Sequence, residues 1–204
     1  MSPFDKLITF FERFPGIGGR QAKRFVFHLL SLRQDELEEL SKLIANLNQN
    51  TSQCSSCFRF FTKPAQGSLC QICSDLNRDK AKILIVAQDS DIVAVERSDV
   101  YEGLYFVLGG TVPLMHDSQN SKLRTGALRQ ILKERQTSGD MEVILGFAIN
   151  PDGENTARYI ESVIAKMDNP DSYKISHLGR GLSTGSELEY SDPETIKSAL
   201  TNRS

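Results

Sequence analysis

The sequence has little that would send the chain into or across a membrane. No early stretch combines a charged region, an apolar core and a cleavage site, so we expect a chain that is not secreted. No run approaches the roughly 18 consecutive apolar residues of a membrane-spanning helix. We therefore expect a cytoplasmic protein with no membrane partner.

Groups that usually mark an enzyme are also scarce. The chain has three histidines, His28, His116 and His177, and none has a nucleophile or a second ligand at a useful spacing. The glycine-rich stretch over residues 179–185 is not followed by the Gly-Lys-Ser/Thr of a phosphate-binding loop. The sequence thus offers no simple catalytic constellation.

Cysteine is equally sparse, but its distribution is informative. The only four cysteines, Cys54, Cys57, Cys70 and Cys73, form two Cys-x-x-Cys pairs with 12 residues between them. Two such pairs can surround one Zn²⁺ tetrahedrally, and a reducing cytosol favours metal binding over disulfides. Two disulfides or four unrelated thiols are the alternatives. We predict one structural zinc ion per chain, because four thiolates leave no coordination position open for catalysis.

Aromatic and basic residues alternate between the two cysteine pairs, notably Phe58, Arg59, Phe60, Phe61 and Lys63. Such residues can stack on nucleic-acid bases. They can also pack a knuckle that is too small to have a core of its own. Packing is the more common use, and we expect it here.

Charge is distributed unevenly along the chain. Residues 1–33 carry six Lys/Arg and two Asp/Glu, a net charge of +4, whereas residues 83–204 carry 12 and 18, a net charge of -6. A basic head on an acidic body predicts an anionic partner at the head.

The basic head has the pattern of two helices joined by a glycine-rich turn. The Ser2-Pro3 pair predicts a helix start, and the turn Pro15-Gly16-Ile17-Gly18-Gly19 precedes a second helix over residues 20–30. This pattern resembles a helix-hairpin-helix DNA-binding element. Backbone amides in the turn and cations on the next helix can hold phosphates without reading sequence. The alternative is a plain helical hairpin with solvated arginines. The predicted DNA-binding residues are Gly16, Gly18, Arg20, Lys23 and Arg24.

The rest of the chain predicts one more helix and then an α/β region. Residues 34–48 have an apolar stripe at helical spacing. From residue 82, strands (82–87, 104–108, 142–149 and 173–176) alternate with helices (90–97, 121–135 and 154–167), which predicts a small parallel sheet.

Taken together, these blocks resemble the RecR family of bacterial recombination mediator proteins over essentially the whole chain. The resemblance rests on the hairpin, the four cysteines, and the segments Gly181-Leu182-Ser183-Thr184-Gly185 and Glu187-Leu188-Glu189-Tyr190. It implies an α/β fold with a small helical N-terminal part: a helix-hairpin-helix region (1–53), a C4 zinc knuckle (54–73), a Toprim-like parallel sheet (81–177), and a C-terminal arm and helix (178–204).

The same resemblance implies a function and partners. A non-catalytic member would form a dimer or tetrameric ring, bind single-stranded or gapped DNA at the nucleoid, and act with RecO, and in some settings RecF, to help load RecA. By resemblance, Arg20 and Arg24 occupy positions that the family uses for DNA contact, whereas the role of Lys23 is inferred from its charge.

The sequence departs from the family pattern in the Toprim block. The first strand ends in Ala87 where the family usually has a glutamate, and Asn150-Pro151 runs directly into Asp152-Gly153, a loop shorter by two residues. These departures argue against Mg²⁺ chemistry and put the RecO docking site in question. Two alternatives remain: a Toprim-type Mg²⁺-dependent nuclease or topoisomerase, and a zinc-stapled interaction module without a DNA role.

Overall fold

The computed structural model describes residues 1–64, 66–114, 123–136, 140–179, 193 and 195–197. These residues belong to two compact units, 1–52 and 53–204. None of the described helices is both long and apolar enough to cross a membrane.

The first unit consists of three helices: α1 (Pro3–Phe11), α2 (Gly19–Ser31) and α3 (Gln34–Asn50). The start of α1 is fixed by a capping box, since the Ser2 hydroxyl accepts from the Asp5 amide and the Asp5 carboxylate accepts from the Ser2 amide. Its core is small, with Ile8, Ala22 and Val26 buried between α1 and α2. The helices predicted for this region are confirmed.

Much of the apolar surface of these helices is nevertheless exposed. Phe25 and Leu30 of α2 are 43% and 71% exposed in the single chain. No residue of α3 is buried, although its apolar stripe (Leu37, Leu40, Leu43, Ile44 and Leu47) is present as predicted. Three short helices bury too little surface between them to cover every apolar face.

The second unit is built on a four-stranded parallel sheet, which confirms the predicted α/β fold. Its strands are β3 (Asp79–Val86), β4 (Gly103–Val107), β5 (Met141–Gly146) and β6 (Tyr173–His177), in the order β4-β3-β5-β6. The other described elements are α4 (Gln71–Ser74), α5 (Asp89–Glu96), α6 (Thr125–Arg135), α7 (Pro151–Ile164), a 3₁₀ turn (Pro170–Ser172), and the short β1 (Thr51–Gln53) and β2 (Phe60–Thr62), which pair with each other.

The two faces of the parallel sheet are covered differently. Side chains of α6 and α7 pack on one face, around Ile83, Ile85 and Phe106. On the other face Leu84, Val86 and Tyr105 share a cluster with Ile92 of α5 and with three of the cysteines. Parallel sheets require cover on both faces. The cysteine knuckle therefore supplies part of the cover that a helix would otherwise provide.

Two boundaries differ from the sequence-based expectation. The strand predicted over 142–149 ends at Gly146, and the helix predicted from 154 begins at Pro151. Asn150 is the N-cap of α7, and its side chain accepts a hydrogen bond from the Gly153 amide at 2.8 Å. The chain therefore leaves the sheet before Asn150. Most of the predicted C-terminal arm (178–204), together with His116 and the first residues of the helix predicted from 121, lies outside the described residues.

Candidate metal centre and nucleic-acid interface

The four cysteines form a single cluster. One ligand atom from each of Cys54, Cys57, Cys70 and Cys73 lies within 4.8 Å of the other three. The Sγ atoms of Cys57 and Cys70 are 3.6 Å apart. A regular tetrahedron with Zn–S bonds of about 2.3 Å has edges of roughly 3.8 Å, so the Cys57–Cys70 separation suits such an ion. All four cysteines are free thiols, and the disulfide alternative is not adopted.

Backbone hydrogen bonds shape the first cysteine turn. The Cys54 amide donates to the Arg59 carbonyl (2.9 Å), and the Phe58 amide donates to the Cys54 carbonyl (3.0 Å). The Cys70 amide, from the second pair, donates to the Cys54 sulfur at 3.4 Å. Closing this turn puts Phe58 at a φ of +63°, a left-handed conformation that is costly for a residue with a Cβ.

The four thiols are close enough to perturb one another strongly. A hydrogen bond from Cys57 lowers the pKa of Cys54 far below that of an ordinary thiol, and the same bond raises the pKa of Cys57. The cluster therefore holds protons that four metal-bound thiolates would release, which makes metal binding dependent on pH. Three of the four cysteines are buried, so the cation would be shielded from solvent.

The first cysteine turn is attached to the sheet at several points. The Val107 amide of β4 donates to the Cys57 carbonyl at 2.8 Å. The Phe58 ring packs edge-on against Phe106, with centroids 5.5 Å apart, and the Arg124 guanidinium lies 5.5 Å from the same Phe58 ring. These contacts surround Phe58 from two sides and hold it in its strained conformation.

Arg135, at the end of α6, attaches to the same turn. Its Nη2 donates to the Ser56 hydroxyl at 2.7 Å. Its Nη1 is buried and has no hydrogen-bond partner among the residues that the structure describes. The turn between Cys54 and Cys57 thus receives a guanidinium from α6, which places positive charge beside the thiolate cluster.

The hairpin predicted to contact DNA contains a glycine turn followed by the start of α2. Gly16 has a φ of +75°, and a Cβ added there or at Gly18 would meet nothing within 4 Å, so the turn is open at these two positions, whereas a Cβ at Gly19 would lie 2.8 Å from the Glu12 carboxylate. Gly18 is the N-cap of α2, and no side chain caps this helix. Because the first amides of a helix have no intrahelical acceptor, their N–H groups remain available to an anion.

The three predicted cations lie on α2 next to this turn. Arg20, Lys23 and Arg24 are all exposed. Lys23 interacts electrostatically with Asp5, whereas Arg20 and Arg24 make no ion pair or hydrogen bond with any residue that the structure describes. The structure therefore brings all five predicted hairpin residues to one end of α2.

The carboxyl ends of the strands, where Toprim enzymes hold Mg²⁺, are occupied by other interactions. Asp91 accepts from the Gln88 amide at 2.8 Å and caps α5, and Asp89 accepts from the Phe60 amide at 2.6 Å. Asp152 accepts from the Leu114 amide at 3.1 Å. Among the described residues, the cysteine cluster is the one group of three or more potential ligands close enough to hold a metal ion.

Sequence reasoning missed a distinction among the knuckle phenylalanines. Phe58 and Phe61 pack against the core as expected, but Phe60 is 56% exposed. Phe60 begins β2, and side chains alternate between the two faces of a strand. In this strand Phe60 therefore faces solvent and Phe61 packs on the core. The strand is only three residues long and was not predicted from the sequence.

The fold and the cluster define a Toprim-type α/β protein with a helix-hairpin-helix and a cluster of four cysteines that could hold a metal ion. Family models match in the same order: RecR helix-hairpin-helix at residues 4–47, the Toprim domain at 81–178, and RecR C-terminal at 181–204. Recombination protein RecR of Staphylococcus aureus strain Mu3 is 34% identical over 201 residues, covering 98% of this chain and 96% of the relative. The protein of the same name from strain MRSA252 is 33% identical over the same shares. The chain belongs to the RecR family of recombination proteins.

Proposed function

We propose that this protein is a non-catalytic recombination mediator in DNA repair, which binds DNA through its hairpin and acts with RecO, and in some settings RecF, to help load RecA on single-stranded DNA at gaps or breaks. The observation that carries the DNA contact is the hairpin geometry: an open glycine turn, an uncapped helix start and two unpaired arginines among the described residues meet at one end of α2. A protein with this task would work in the cytoplasm, at the nucleoid.

Binding at the hairpin would be independent of base sequence. Backbone amides and guanidinium groups meet phosphate oxygens, which are the same in every nucleotide. Each phosphate contact made by a cation also releases counterions, so affinity should fall steeply with salt. This behaviour suits a mediator that acts wherever a gap or break occurs.

The metal in the proposed protein is one structural Zn²⁺ per chain. Four clustered thiolates form a soft, closed ligand set, which favours zinc over magnesium or calcium. The ion would be held by Cys54, Cys57, Cys70 and Cys73, and its chemistry would be limited to organising the knuckle.

A non-catalytic role is supported by the engaged carboxylates at the sheet edge. Magnesium needs several oxygen ligands in near-octahedral geometry. Asp152 is engaged with Leu114, Asp91 caps α5, and the first strand is followed by Ala87. The same edge carries residues 150–153, the N-cap and first turn of α7, where the sequence is two residues shorter than the family pattern.

The exposed apolar face of the helical unit supports a homo-oligomer, a dimer or a tetrameric ring. A groove of about 670 Å³ lies between α1, α2 and α3, and its apolar lining includes Leu7, Phe11, Phe25, Leu37, Leu40 and Ile44. Such a surface is unfavourable in water and is typical of an interface. We propose that a second copy of this chain covers it.

The test of the hairpin is the double variant Arg20→Ala/Arg24→Ala, measured by fluorescence anisotropy on gapped DNA over a salt series. We expect a loss of affinity of at least about tenfold, and a salt slope reduced by up to about two. The matched control is Arg97→Ala/Lys174→Ala, which removes the same charge from exposed positions of the other unit. Equal binding by the two double variants would refute the hairpin assignment.

A further inference from the structure

The cysteine knuckle has an open cleft on its solvent side. The cleft has a volume of about 1100 Å³. It is lined by residues of the segment between the two cysteine pairs and by residues at the second pair. Its lining includes Arg59, Phe60, Lys63, Gln66, Leu69 and Gln71. All of these residues belong to the knuckle itself.

The lining has a chemical character different from that of a packed core. Two cations lie beside Phe60, whose side chain is 56% exposed although its neighbours Phe58 and Phe61 are packed inward. Glutamine side chains contribute both donors and acceptors. No carboxylate is among the described residues that line the cleft, although Asp89 binds the Phe60 amide and Glu96 interacts electrostatically with Arg59.

The position of Phe60 is fixed by its backbone and not by its ring. Its amide donates to the Asp89 carboxylate at 2.6 Å, and it begins β2, which pairs with β1. The ring is therefore exposed to solvent while its backbone is held by a hydrogen bond and by strand pairing. An exposed aromatic face held in this way needs little ordering when a flat ligand stacks on it.

From this arrangement we propose that the knuckle cleft is a second nucleic-acid contact, where Phe60 stacks on a base of single-stranded DNA and Lys63 and Arg59 contact the adjoining phosphates. A positively charged groove with an exposed aromatic is the usual combination in proteins that bind single strands without sequence preference. Bases in a duplex are already stacked on one another, so this cleft discriminates in favour of single strands. The proposal rests on the proposed function in that DNA is the ligand, but it concerns a surface separate from the hairpin.

An acidic peptide is the other ligand that would match two cations. It would use Lys63 and Arg59 but would gain little from the flat face of Phe60. The exposed ring beside the cations, with glutamines able to reach base edges, favours a nucleic acid. The two ligands respond differently to substitution of Phe60, which makes them separable.

The test compares full-length Phe60→Ala and Phe60→Tyr with the unmodified protein, using labelled oligo(dT) and a duplex of the same length in anisotropy titrations. We expect Phe60→Ala to weaken oligo(dT) binding by about fivefold to a hundredfold, with little change for the duplex. Phe60→Tyr keeps the aromatic face and should retain the affinity. Leu76→Ala, which removes an exposed apolar side chain outside the cleft, is the control and should change neither.

Lys63→Ala should weaken oligo(dT) binding and reduce the salt slope by roughly 0.7. Lys80→Ala, at an exposed position outside the cleft, should have a smaller effect on both the affinity and the salt slope. Photocrosslinking with 5-iodouracil in the oligonucleotide locates the contact directly, and the crosslink should map to residues 59–63. Zinc content and the thermal melting curve confirm that each variant is folded.

The outcomes separate this proposal from the hairpin. Two results together would show that the cleft is not a stacking site. The first is that Phe60→Ala binds oligo(dT) normally, or loses affinity equally for oligo(dT) and duplex. The second is that no crosslink maps to the knuckle. If Phe60→Ala loses oligo(dT) while Arg20→Ala/Arg24→Ala keeps it, the cleft stands as the single-strand contact, and binding of the hairpin variant to gapped DNA decides the hairpin assignment separately. The proposal would be overturned in favour of a protein ligand if an acidic peptide displaced oligo(dT) equally well from the unmodified protein and from Phe60→Ala, and if no crosslink mapped to residues 59–63.

Discussion

The carbonyl oxygen of Cys57 accepts a hydrogen bond from the backbone amide of Val107 at 2.8 Å, so a predicted metal ligand and the edge strand β4 share a direct backbone link. Cys57 and Val107 also belong to the same buried cluster. An edge strand presents unpaired backbone groups that proteins normally cover. Here the cysteine turn covers one of them, and the state of the metal centre should therefore affect the sheet.

Removal of the metal should loosen β4 before the rest of the sheet. We expect chelation under reducing conditions to lower hydrogen-exchange protection of the Val107 amide by at least about tenfold, because the hydrogen bond and its covering turn are lost together. Amides of β6, at the opposite edge of the sheet from β4, should keep more of their protection from exchange. Helices α1 and α2, in the other unit, are the internal control. Unchanged protection of Val107 in a metal-free, reduced sample would contradict this coupling.

Phe58 should reverse the usual ranking of alanine and glycine. Truncation to alanine removes the contacts with Phe106 and Arg124 and should destabilise the second unit by about 2–3 kcal/mol, less than for a fully buried phenylalanine. Glycine loses the same contacts but accepts the φ of +63° without strain, so Phe58→Gly should be more stable than Phe58→Ala by about 0.5–1 kcal/mol. Denaturant unfolding of the metal-loaded variants measures both differences.

The control for this ranking is Phe61, a strand residue in β2 that is not among the residues with positive φ. There glycine should be the less stable of the two substitutions, as in ordinary strands. If alanine is the better replacement at both positions, the left-handed conformation of Phe58 does not contribute the expected strain.

Glu96 should make stability dependent on acid pH. Arg78 binds its carboxylate through two nitrogens, at 2.9 and 2.6 Å, and the Tyr105 hydroxyl donates to it at 2.6 Å. Burial opposes the charged form, but the hydrogen bonds from Arg78 and Tyr105 prevail and lower the pKa of Glu96. The unfolded chain then binds a proton more readily than the folded chain, so this contribution to stability is complete above about pH 4.3 and is lost as the pH falls through the lower folded-state pKa.

Glu96→Gln should therefore cost about 1–3 kcal/mol near neutral pH, and the difference from the unmodified protein should shrink in acid. Urea unfolding at a series of pH values measures this. Glu102→Gln, at an exposed carboxylate, should leave the pH profile as it was. A Glu96→Gln deficit that stays constant down to the acid limit would assign the effect to packing and not to charge.

The sequence predicted those parts of the molecule that have a strong local pattern. The cysteine spacing predicted the four-cysteine cluster, and continuous apolar runs such as 83–87 predicted the central strands, because strands buried on both faces have few polar residues. The Asn150-Pro151 pair carried the same cap signal as Ser2-Pro3, but the apolar residues at 147–149 favoured an extended strand and hid it.

Other features depend on contacts that no local pattern records. The exposure of Phe25 and Leu30 reflects how few helices the first unit has to cover them. The exposure of Phe60 depends on which face of a three-residue strand meets the sheet. The contact of Arg135 with Ser56 joins residues far apart in sequence, and only the folded sheet brings them together.

Two glycines of the second unit should respond in opposite ways to the same substitution. Gly126 lies in the first turn of α6, and a Cβ there would meet nothing within 4 Å, so Gly126→Ala should stabilise the unit by up to about 1 kcal/mol through the higher helix propensity of alanine. Gly153 lies in the first turn of α7, where a Cβ would overlap the Ala148 carbonyl oxygen. Gly153→Ala must therefore shift the α7 start away from the end of β5 and should destabilise by more than about 2 kcal/mol. Thermal unfolding of the two variants should give melting temperatures on opposite sides of the unmodified protein, and a stabilised Gly153→Ala would show that this turn is looser than the contact implies.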